Sequence, residues 1–133
     1  MAVDSSALIA IIRSEDDAGA FGRALGDATH RSMSAATYQE AGVVAWGLFK
    51  DRGIAALDEL LRKAEIVVVP VDREMAEVGL DAYRRYGRGN AHPASLNYGD
   101  CFAYALAKTR SLPLLFKGDD FIHTDIEPAL KPA

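Results

Sequence analysis

Acidic residues follow apolar stretches at two points of the chain, and their positions suggest shared chemistry. Asp4 follows the short apolar pair Ala2 and Val3, and the adjacent Asp119 and Asp120 come soon after residues 114–116. Two carboxylates about 4 Å apart repel by roughly 4 kcal/mol at an effective dielectric near 20. Such acids stay ionised together only beside a cation, and otherwise some of them are protonated. Their placement predicts a cation site if folding brings them together.

Two further acids stand near predicted helix starts. Glu40 lies early in a helix that is expected to begin near Ser34 or Thr37, and Asp100 lies in the first turn of a helix over residues 98–111. Acids are favoured at helix N-termini, so both residues also have a purely structural interpretation. Asp4 has one as well, because it stands where a helix N-cap is expected. The functional interpretation therefore depends on all of these acids meeting at one place.

Carboxylates select a hard cation such as Mg²⁺ or Mn²⁺. Mg²⁺ keeps several waters and takes one or two protein carboxylates together with phosphate oxygens of a substrate. A divalent ion in this setting lowers the pKa of bound water and neutralises charge that grows on the phosphate. The acids therefore indicate metal-dependent hydrolysis of a phosphodiester. The histidines do not show metal-ligand spacing: His30, His92 and His123.

Alternating strands and helices are expected to position these acids. Strands are predicted at residues 2–3, around Met33, at 66–69 and at 114–116. The third of these is β-branched without polar alternation, which predicts a strand buried on both faces. Alternation of this kind indicates an α/β fold with a mostly parallel sheet covered by helices. Ligands of such folds gather at the carboxyl ends of the strands, where Asp4 and Asp119 are expected.

Apolar periodicity and capping residues predict the helices. Ser14 is expected to cap the second helix, and Asp72 is expected to cap the helix that follows residues 66–69. The long helix over residues 37–50 is predicted to stop at Gly53. Its predicted core-facing side consists of large apolar residues: Val43, Val44, Leu48 and Phe49.

Composition narrows the class of protein. The 133 residues, 50% of them hydrophobic and 26% charged, suit one globular domain over residues 1–133. The single cysteine, Cys101, excludes an internal disulfide and fits a reducing compartment. Neither a signal-peptide pattern nor a run long enough to span a bilayer is seen, so a cytoplasmic chain without membrane contact is expected. The net charge of −4 argues against nonspecific nucleic-acid binding by the whole surface, although the basic segment 83–90 is a candidate for RNA contact.

Four segments carry a family resemblance. "VDSSALIAII", Glu40 within "SAATYQEAGVVAW", "SLNYGDCFAYALAK" and "LLFKGDDFIHTDI" resemble the four acidic motifs of the PIN-domain family, and the last two are similar to the VapC toxins of bacterial toxin–antitoxin pairs. The resemblance spans residue 3 to about residue 126. It implies a catalytic quartet of Asp4, Glu40, Asp100 and Asp119, with Asp4 and Asp100 as metal ligands. Asp120 is the alternative for the fourth acid, and Ser6 matches a small polar position beside the first.

The resemblance also implies a fold, an activity and partners. The fold would be a PIN-like three-layer sandwich with a central, mostly parallel sheet flanked by helices. The activity would be that of a toxin, an endoribonuclease that depends on Mg²⁺, or on Mn²⁺ as a substitute, and hydrolyses RNA phosphodiester bonds. A VapB-type antitoxin would hold the protein inactive, and the toxin would form a homodimer.

Two other interpretations compete with this one. A receiver-like phospho-signalling domain would use Asp4, a phosphorylated Asp72 after a middle strand, and Lys117 after the last strand, but it leaves Glu40 and Asp100 without a role. A catalytically silent PIN fold that serves as a binding module is the other, and the complete set of acids argues against it. Replacement of Asp72 distinguishes a phospho-switch from a nuclease.

Overall fold

A parallel sheet forms the centre of the protein, as a computed structural model covering residues 1–131 describes it. Its strands are β1 (Ala2–Val3), β2 (Arg31–Ser34), β3 (Ile66–Val69) and β4 (Leu114–Leu115). They are arranged in the order β3-β2-β1-β4, and every neighbouring pair is parallel. Ala2 lies opposite both Ser32 and Leu114, so the carboxyl ends of β1 and β4 reach the same edge of the sheet. The predicted mostly parallel α/β fold is confirmed.

Helices cover both faces of the sheet. They are α1 (Ser5–Ile12), α2 (Ala18–Asp27), α3 (Ala35–Phe49), α4 (Asp51–Lys63), α5 (Arg73–Tyr86) and α6 (Tyr98–Thr109). Ala2 and Leu114 belong to the core on the side of α5 and α6, whereas Val3 and Leu115 belong to the core against α1, α2 and α4. This alternation is the period of two of a β-strand. Over residues 1–131, none of the helices has both the length and the apolar character that a membrane span requires.

Strand β3 differs from its prediction. It lies at one edge of the sheet and pairs with β2, and its two middle residues, Val67 and Val68, are 63% and 40% exposed. Ile66 and Val69 are buried, each in one of the two cores. The prediction of a strand buried on both faces was therefore wrong. A continuous apolar run cannot by itself distinguish a central strand from an edge strand.

Helix α3 buries a different side from the predicted one. The large residues Val43, Val44, Leu48 and Phe49 are exposed, whereas the buried positions hold the small residues Thr37, Ala41 and Ala45. These small side chains let α4 approach closely.

Gly53 shows how close that approach is, because a Cβ on it would overlap the backbone carbonyl group of Ala45. It therefore lies inside α4 rather than ending α3, and the chain turns instead at Lys50, whose φ is 56°.

The helix caps were predicted with mixed success. Asp72 caps α5 as expected, since its Oδ1 accepts a hydrogen bond of 2.9 Å from the backbone N–H of Met75. Ser14 does not cap α2: it has a left-handed φ of 54°, and the helix begins later, at Ala18. Tight turns separate α1 from α2, so the first residues of the predicted second helix belong to the connection.

Candidate active site

Asp4 lies at the carboxyl end of β1 and caps α1. Its Oδ2 accepts hydrogen bonds from the Ser6 N–H at 3.1 Å and the Ser6 hydroxyl at 2.6 Å. The residue is 3% exposed, and its Oδ1 is buried without a hydrogen-bond partner in the described chain. Burial is the main cause that raises the pKa of Asp4 to about 6, and the charge of Glu40 adds to the effect. The cap therefore accounts for only one of the two carboxylate oxygens.

Asp100 likewise takes part in a helix cap, at the start of α6, and lies near other acids. Its Oδ2 accepts a hydrogen bond of 2.9 Å from the Asn97 N–H, and Asn97 Oδ1 accepts one of 2.8 Å from the Asp100 N–H. This capping box fixes the carboxylate against the helix. Burial raises the pKa of Asp100 to about 6, with smaller upward contributions from Asp4 and Asp120 and a downward one from Arg88. A capping role alone does not require such neighbours.

Glu40 lies in the second turn of α3, beyond the first turn where the helix dipole favours an acid. Its Oε1 accepts a hydrogen bond of 2.9 Å from the Ser5 hydroxyl. Burial raises the pKa of Glu40, and the charge of Asp100 raises it further. A favourable interaction with the helix N-terminus therefore does not explain Glu40. Its position beside the other acids favours a functional role.

The three acids lie within electrostatic reach of one another. Asp4 and Glu40, Asp4 and Asp100, and Glu40 and Asp100 each interact as like charges. Within residues 1–131, however, no group of three His, Cys, Asp or Glu side chains is already drawn into metal-ligand spacing. The donor set nonetheless suits a hard cation, because all donors are carboxylate oxygens and one of them, Asp4 Oδ1, is buried without a partner. The roles of these residues in catalysis stay a prediction.

The fourth acid comes from the segment after β4. Asp119 and Asp120 are both exposed there, ahead of a short 3-10 helix over Phe121–His123. Of the two, Asp120 is the residue whose charge contributes to the raised pKa of Asp100. The sequence favoured Asp119 because it is nearer the strand, and that assignment stays a prediction.

Hydroxyl groups connect the acids, and the sequence signalled only some of them. The Ser6 hydroxyl donates to Asp4 and accepts a hydrogen bond of 2.9 Å from the Lys117 N–H, so it joins the starts of α1 and of the segment after β4. Ser5, which holds Glu40, was not predicted, although two serines directly after a strand-end acid are its signal. Thr37, three residues before Glu40, also buries a hydroxyl that lacks a partner in the described chain.

The basic side chains near the site differ in whether they form ion pairs within the protein. Lys117 Nζ pairs with Glu15 at 3.0 Å and with Asp17 at 3.2 Å, so it is bound to the connection before α2. Arg88 is exposed, and its charge lowers the pKa of Asp100. Within the basic segment 83–90, Tyr86 is buried and Tyr83 is 39% exposed. Of that segment, Arg88 is the exposed residue whose charge acts on an acid of the site.

Two residues that other chemistries would use are structural. Cys101 is buried, and burial together with the charge of Asp100 raises its pKa to about 11. A thiol of this kind is a packing residue rather than a nucleophile. Asp72 serves as the cap of α5, so the receiver-like interpretation loses its phosphorylation site to a simpler role.

Comparison with known proteins identifies the family. The PIN domain family model matches residues 1–127. The chain is 51% identical to Ribonuclease VapC28 of Mycobacterium tuberculosis, with 98% of each chain covered. It is 47% identical to Ribonuclease VapC of Mycolicibacterium smegmatis, with 95% of this chain and 97% of that relative covered.

Solved structures share the fold at low sequence identity. VapC20 of Mycobacterium tuberculosis, described as a Sarcin-Ricin loop cleaving toxin, superimposes with a TM-score of 0.76 at 14% identity and covers 94% of this chain and 95% of its own. A toxin–antitoxin complex from Klebsiella pneumoniae has a TM-score of 0.65 at 17% identity, over 90% of this chain and 88% of that one. The family model and the curated relatives confirm the predicted family: the chain belongs to the PIN-domain family, among the VapC ribonucleases.

Proposed function

We propose that this protein is a Mg²⁺-dependent endoribonuclease that hydrolyses RNA phosphodiester bonds through Asp4, Glu40, Asp100 and an acid of the pair Asp119 and Asp120. The observation that carries the proposal is the state of Asp4, which is buried among two other acids with one oxygen unpaired. An unpaired buried carboxylate oxygen is costly, and a bound ion is one of the usual reasons why a native protein retains such a group. A bound cation removes that cost.

Asp4 and Asp100 would hold the divalent ion, directly or through water, since each uses one oxygen for a helix cap and leaves the other free of hydrogen bonds within the described chain. Mg²⁺, or Mn²⁺ in its place, would lower the pKa of a water molecule and offset charge that grows on the phosphate oxygens. Carboxylate donors favour these hard ions over softer metals.

Glu40 and the fourth acid would orient the attacking water. The hydrogen bond from Ser5 restrains the Glu40 carboxylate, and burial keeps its pKa above the usual range, which favours proton acceptance. Asp119 or Asp120 would approach from the segment after β4, which the hydrogen bond from the Lys117 N–H to Ser6 ties to α1. No step requires a histidine or cysteine nucleophile.

RNA would reach the acids past the segment that joins α5 to α6. Arg88 offers a guanidinium for phosphate, and the exposed part of Tyr83 offers a stacking surface for a base. The backbone there is held in place, because the Arg88 N–H donates to Leu96 and the Leu96 N–H donates to Tyr86, at 2.8 and 2.9 Å. A cation beside the acids would counter the repulsion between the RNA backbone and a chain of net charge −4.

Partners complete the proposal. A VapB-type antitoxin would hold the toxin inactive in the cytoplasm, and the toxin, a single PIN domain over residues 1–133, would form a homodimer. The exposed large apolar residues of α3 support a protein partner, because helix-in-groove and strand contacts use such surfaces. These residues are Val43, Val44, Trp46, Leu48 and Phe49.

Expression of the protein and of Asp4→Asn, with recovered RNA mapped for new 5′ ends, tests the activity. The wild type is expected to arrest growth and to produce discrete cuts, and both should disappear in the variant, since an amide cannot supply the lost negative charge to the cation. Purified protein should show the same dependence, with cleavage abolished by EDTA and restored by Mg²⁺.

Asp72→Asn is the matched control, because it makes the same chemical change at another strand end. Asparagine caps a helix as well as aspartate does, so this variant should keep full activity. Loss of the growth phenotype in Asp72→Asn would favour a receiver-like switch, because a nuclease does not need that carboxylate. Equal toxicity of wild type and Asp4→Asn, without cleavage by either, would favour a silent binding module.

A further inference from the structure

Gly99 lies in direct contact with the carboxylate of Glu40. A Cβ at this position would lie 2.8 Å from Glu40 Cδ and 3.2 Å from Oε1, and closer still to Oε2. Cβ atoms essentially never lie within 3.0 Å of an unbonded heavy atom, so the two shorter contacts could not form unless the carboxylate moved. The Glu40 carboxylate therefore occupies the space that any other residue at position 99 would fill with its side chain.

Backbone conformation does not explain this glycine. Gly99 is the second residue of α6, between the Asn97 cap and Asp100, and its φ is outside the left-handed range that favours glycine. Alanine is the better helix former by about 1 kcal/mol, although less so in a first turn. Contact with Glu40 is the feature of the position that excludes a side chain.

The contact between Gly99 and Glu40 joins two helices. Glu40 comes from α3 and Asp100 from α6, and Gly99 is where the carboxylate of one helix meets the backbone of the other. On its other side, Glu40 Oε1 accepts the hydrogen bond from Ser5, at the start of α1. The carboxylate is thus held between α1 and α6, and a methyl group at position 99 would push it out of this place. Because a carboxylate is the mobile end of its side chain, the displacement would leave the fold intact.

We propose that Gly99 is a positioning residue for the acid site. Because Gly99 has no side chain, the Glu40 carboxylate can lie between Ser5 and Asp100, where it would orient the attacking water. The inference rests on the proposed ribonuclease function for its effect on activity, whereas the placement of Glu40 by Gly99 is a structural claim by itself.

Gly99→Ala tests the proposal through Mn²⁺ binding and RNA cleavage. We expect the Mn²⁺ dissociation constant to rise, and the single-turnover cleavage rate to fall, by about 10- to 100-fold, which is the usual effect of misplaced outer residues of metal sites. The thermal midpoint without metal should stay within a few degrees of the wild type. Gly22→Ala is the matched control, because a Cβ there would meet nothing within 4 Å. It should match the wild type in Mn²⁺ affinity and cleavage rate, and its thermal midpoint should be equal or slightly higher because alanine favours the helix.

A double-mutant cycle with Glu40→Gln separates positioning from a general effect on α6. If Gly99 acts through Glu40, then Gly99→Ala should cost little once Glu40 has been replaced, so the two effects on Mn²⁺ affinity should not multiply. Effects that multiply, or a Gly99→Ala protein with wild-type affinity and cleavage, would overturn the proposal.

A crystal structure of Gly99→Ala distinguishes failure of this inference from failure of the ribonuclease function. Displacement of the Glu40 carboxylate from hydrogen-bond distance of the Ser5 hydroxyl is the expected result. If the wild-type protein neither binds Mn²⁺ nor cuts RNA, the ribonuclease function fails, and this structure alone decides the placement. A carboxylate that still accepts the Ser5 hydrogen bond in Gly99→Ala would refute the placement, whatever the enzyme does.

Discussion

At the scale of single residues, the acids combine a structural and a chemical role within one carboxylate. Asp4 caps α1 with Oδ2, and Asp100 completes the capping box of α6 with Oδ2. Each has a pKa of about 6, with burial as the first cause. The helix caps fix the orientation of both carboxylates before any ion arrives, which is how a protein preorganises a site that must gather like charges.

These raised pKa values predict how stability depends on pH without metal. Asp4 binds its proton more tightly in the folded than in the unfolded protein, so its contribution is favourable at low pH and is lost as pH rises from about 4 through about 6. The loss for this buried residue is at most about 3 kcal/mol. Urea unfolding in EDTA should therefore give a lower free energy of unfolding at pH 7.5 than at pH 5.

Metal should reverse that trend, because the ion binds the ionised acids. Saturating Mn²⁺ is expected to stabilise the protein at pH 7.5 and to have little effect at pH 5, where protons compete for the ligands. Asp4→Asn should flatten the pH dependence in EDTA. A wild-type free energy of unfolding that rises steadily from pH 5 to pH 7.5 in EDTA would contradict the assignment of buried, repelling acids.

The adjacent acids after β4 give a second test at this scale. Asp120 acts electrostatically on Asp100, so Asp120→Asn is expected to reduce cleavage by about 10- to 100-fold, in the range seen for misplaced or lost partners of a metal site. Asp119→Asn should reduce it less, and each variant is the control for the other. A larger loss in Asp119→Asn, measured as single-turnover rate at saturating Mg²⁺, would instead support the acid that the sequence favours.

At the scale of elements, the site depends on how the start of α1 and the segment after β4 are tied together. The Ser6 hydroxyl is the connecting group, since it donates to Asp4 and accepts from the Lys117 N–H. Lys117 in turn pairs with Glu15 and Asp17, so the segment after β4 is held against the connection between α1 and α2. One hydroxyl therefore links the first and last motifs of the sequence.

Ser6→Ala is expected to weaken this link. It removes one of two hydrogen bonds to Asp4 Oδ2 and leaves the Lys117 N–H without its partner, at a cost of about 1 to 3 kcal/mol in the free energy of unfolding. The pKa of Asp4 should rise further, because the lost hydrogen bond favours the ionised form, so the acidic limb of the pH–rate profile should move to higher pH.

Ser5→Ala is the matched control for that experiment. It removes a hydroxyl from the neighbouring residue, but the lost hydrogen bond is to Glu40 and the Lys117 N–H keeps its acceptor. Ser5→Ala should therefore reduce cleavage without the same loss of stability. Equal free energies of unfolding for Ser6→Ala and wild type would show that the link between α1 and the segment after β4 does not stabilise the protein.

At the scale of the whole molecule, the surface of α3 is the feature that the core does not explain. Small residues face α4 and α1, and the large apolar ones point outward, among them Trp46 at 48% exposure with Lys50 Nζ 4.3 Å from its ring centre. Several large apolar residues exposed on one helix favour a protein interface. The proposed antitoxin is the partner that the family membership supports.

Trp46→Ala should therefore weaken antitoxin binding while the toxin stays folded. Tryptophan is enriched among binding hot spots, where truncation costs at least about 2 kcal/mol, or roughly 30-fold in the dissociation constant. Calorimetric titration with the cognate antitoxin measures this, and loss of growth rescue on co-expression supports it. Leu80→Ala is the control, because Leu80 is 62% exposed on α5. Equal affinities of the two variants would place the antitoxin elsewhere.

The sequence by itself determined the α/β class, the parallel sheet and the sheet edge at which β1 and β4 end, ahead of Asp4 and of the acids after β4. Those conclusions follow from local signals, because an acid directly after a parallel strand lies at the carboxyl edge of the sheet. Asp72 was equally readable as the start of α5, because a helix cap acts over a few residues.

Only the tertiary structure decided which apolar residues are covered. The exposure of Val67 reflects the edge position of β3, and the outward side of α3 reflects close packing of Ala45 against Gly53, neither of which a periodic pattern contains. The same holds for Gly99, whose contact with Glu40 joins residues far apart in the chain. Packing between distant segments sets exposure and close approach, so these features exist only once the helices have docked on the sheet.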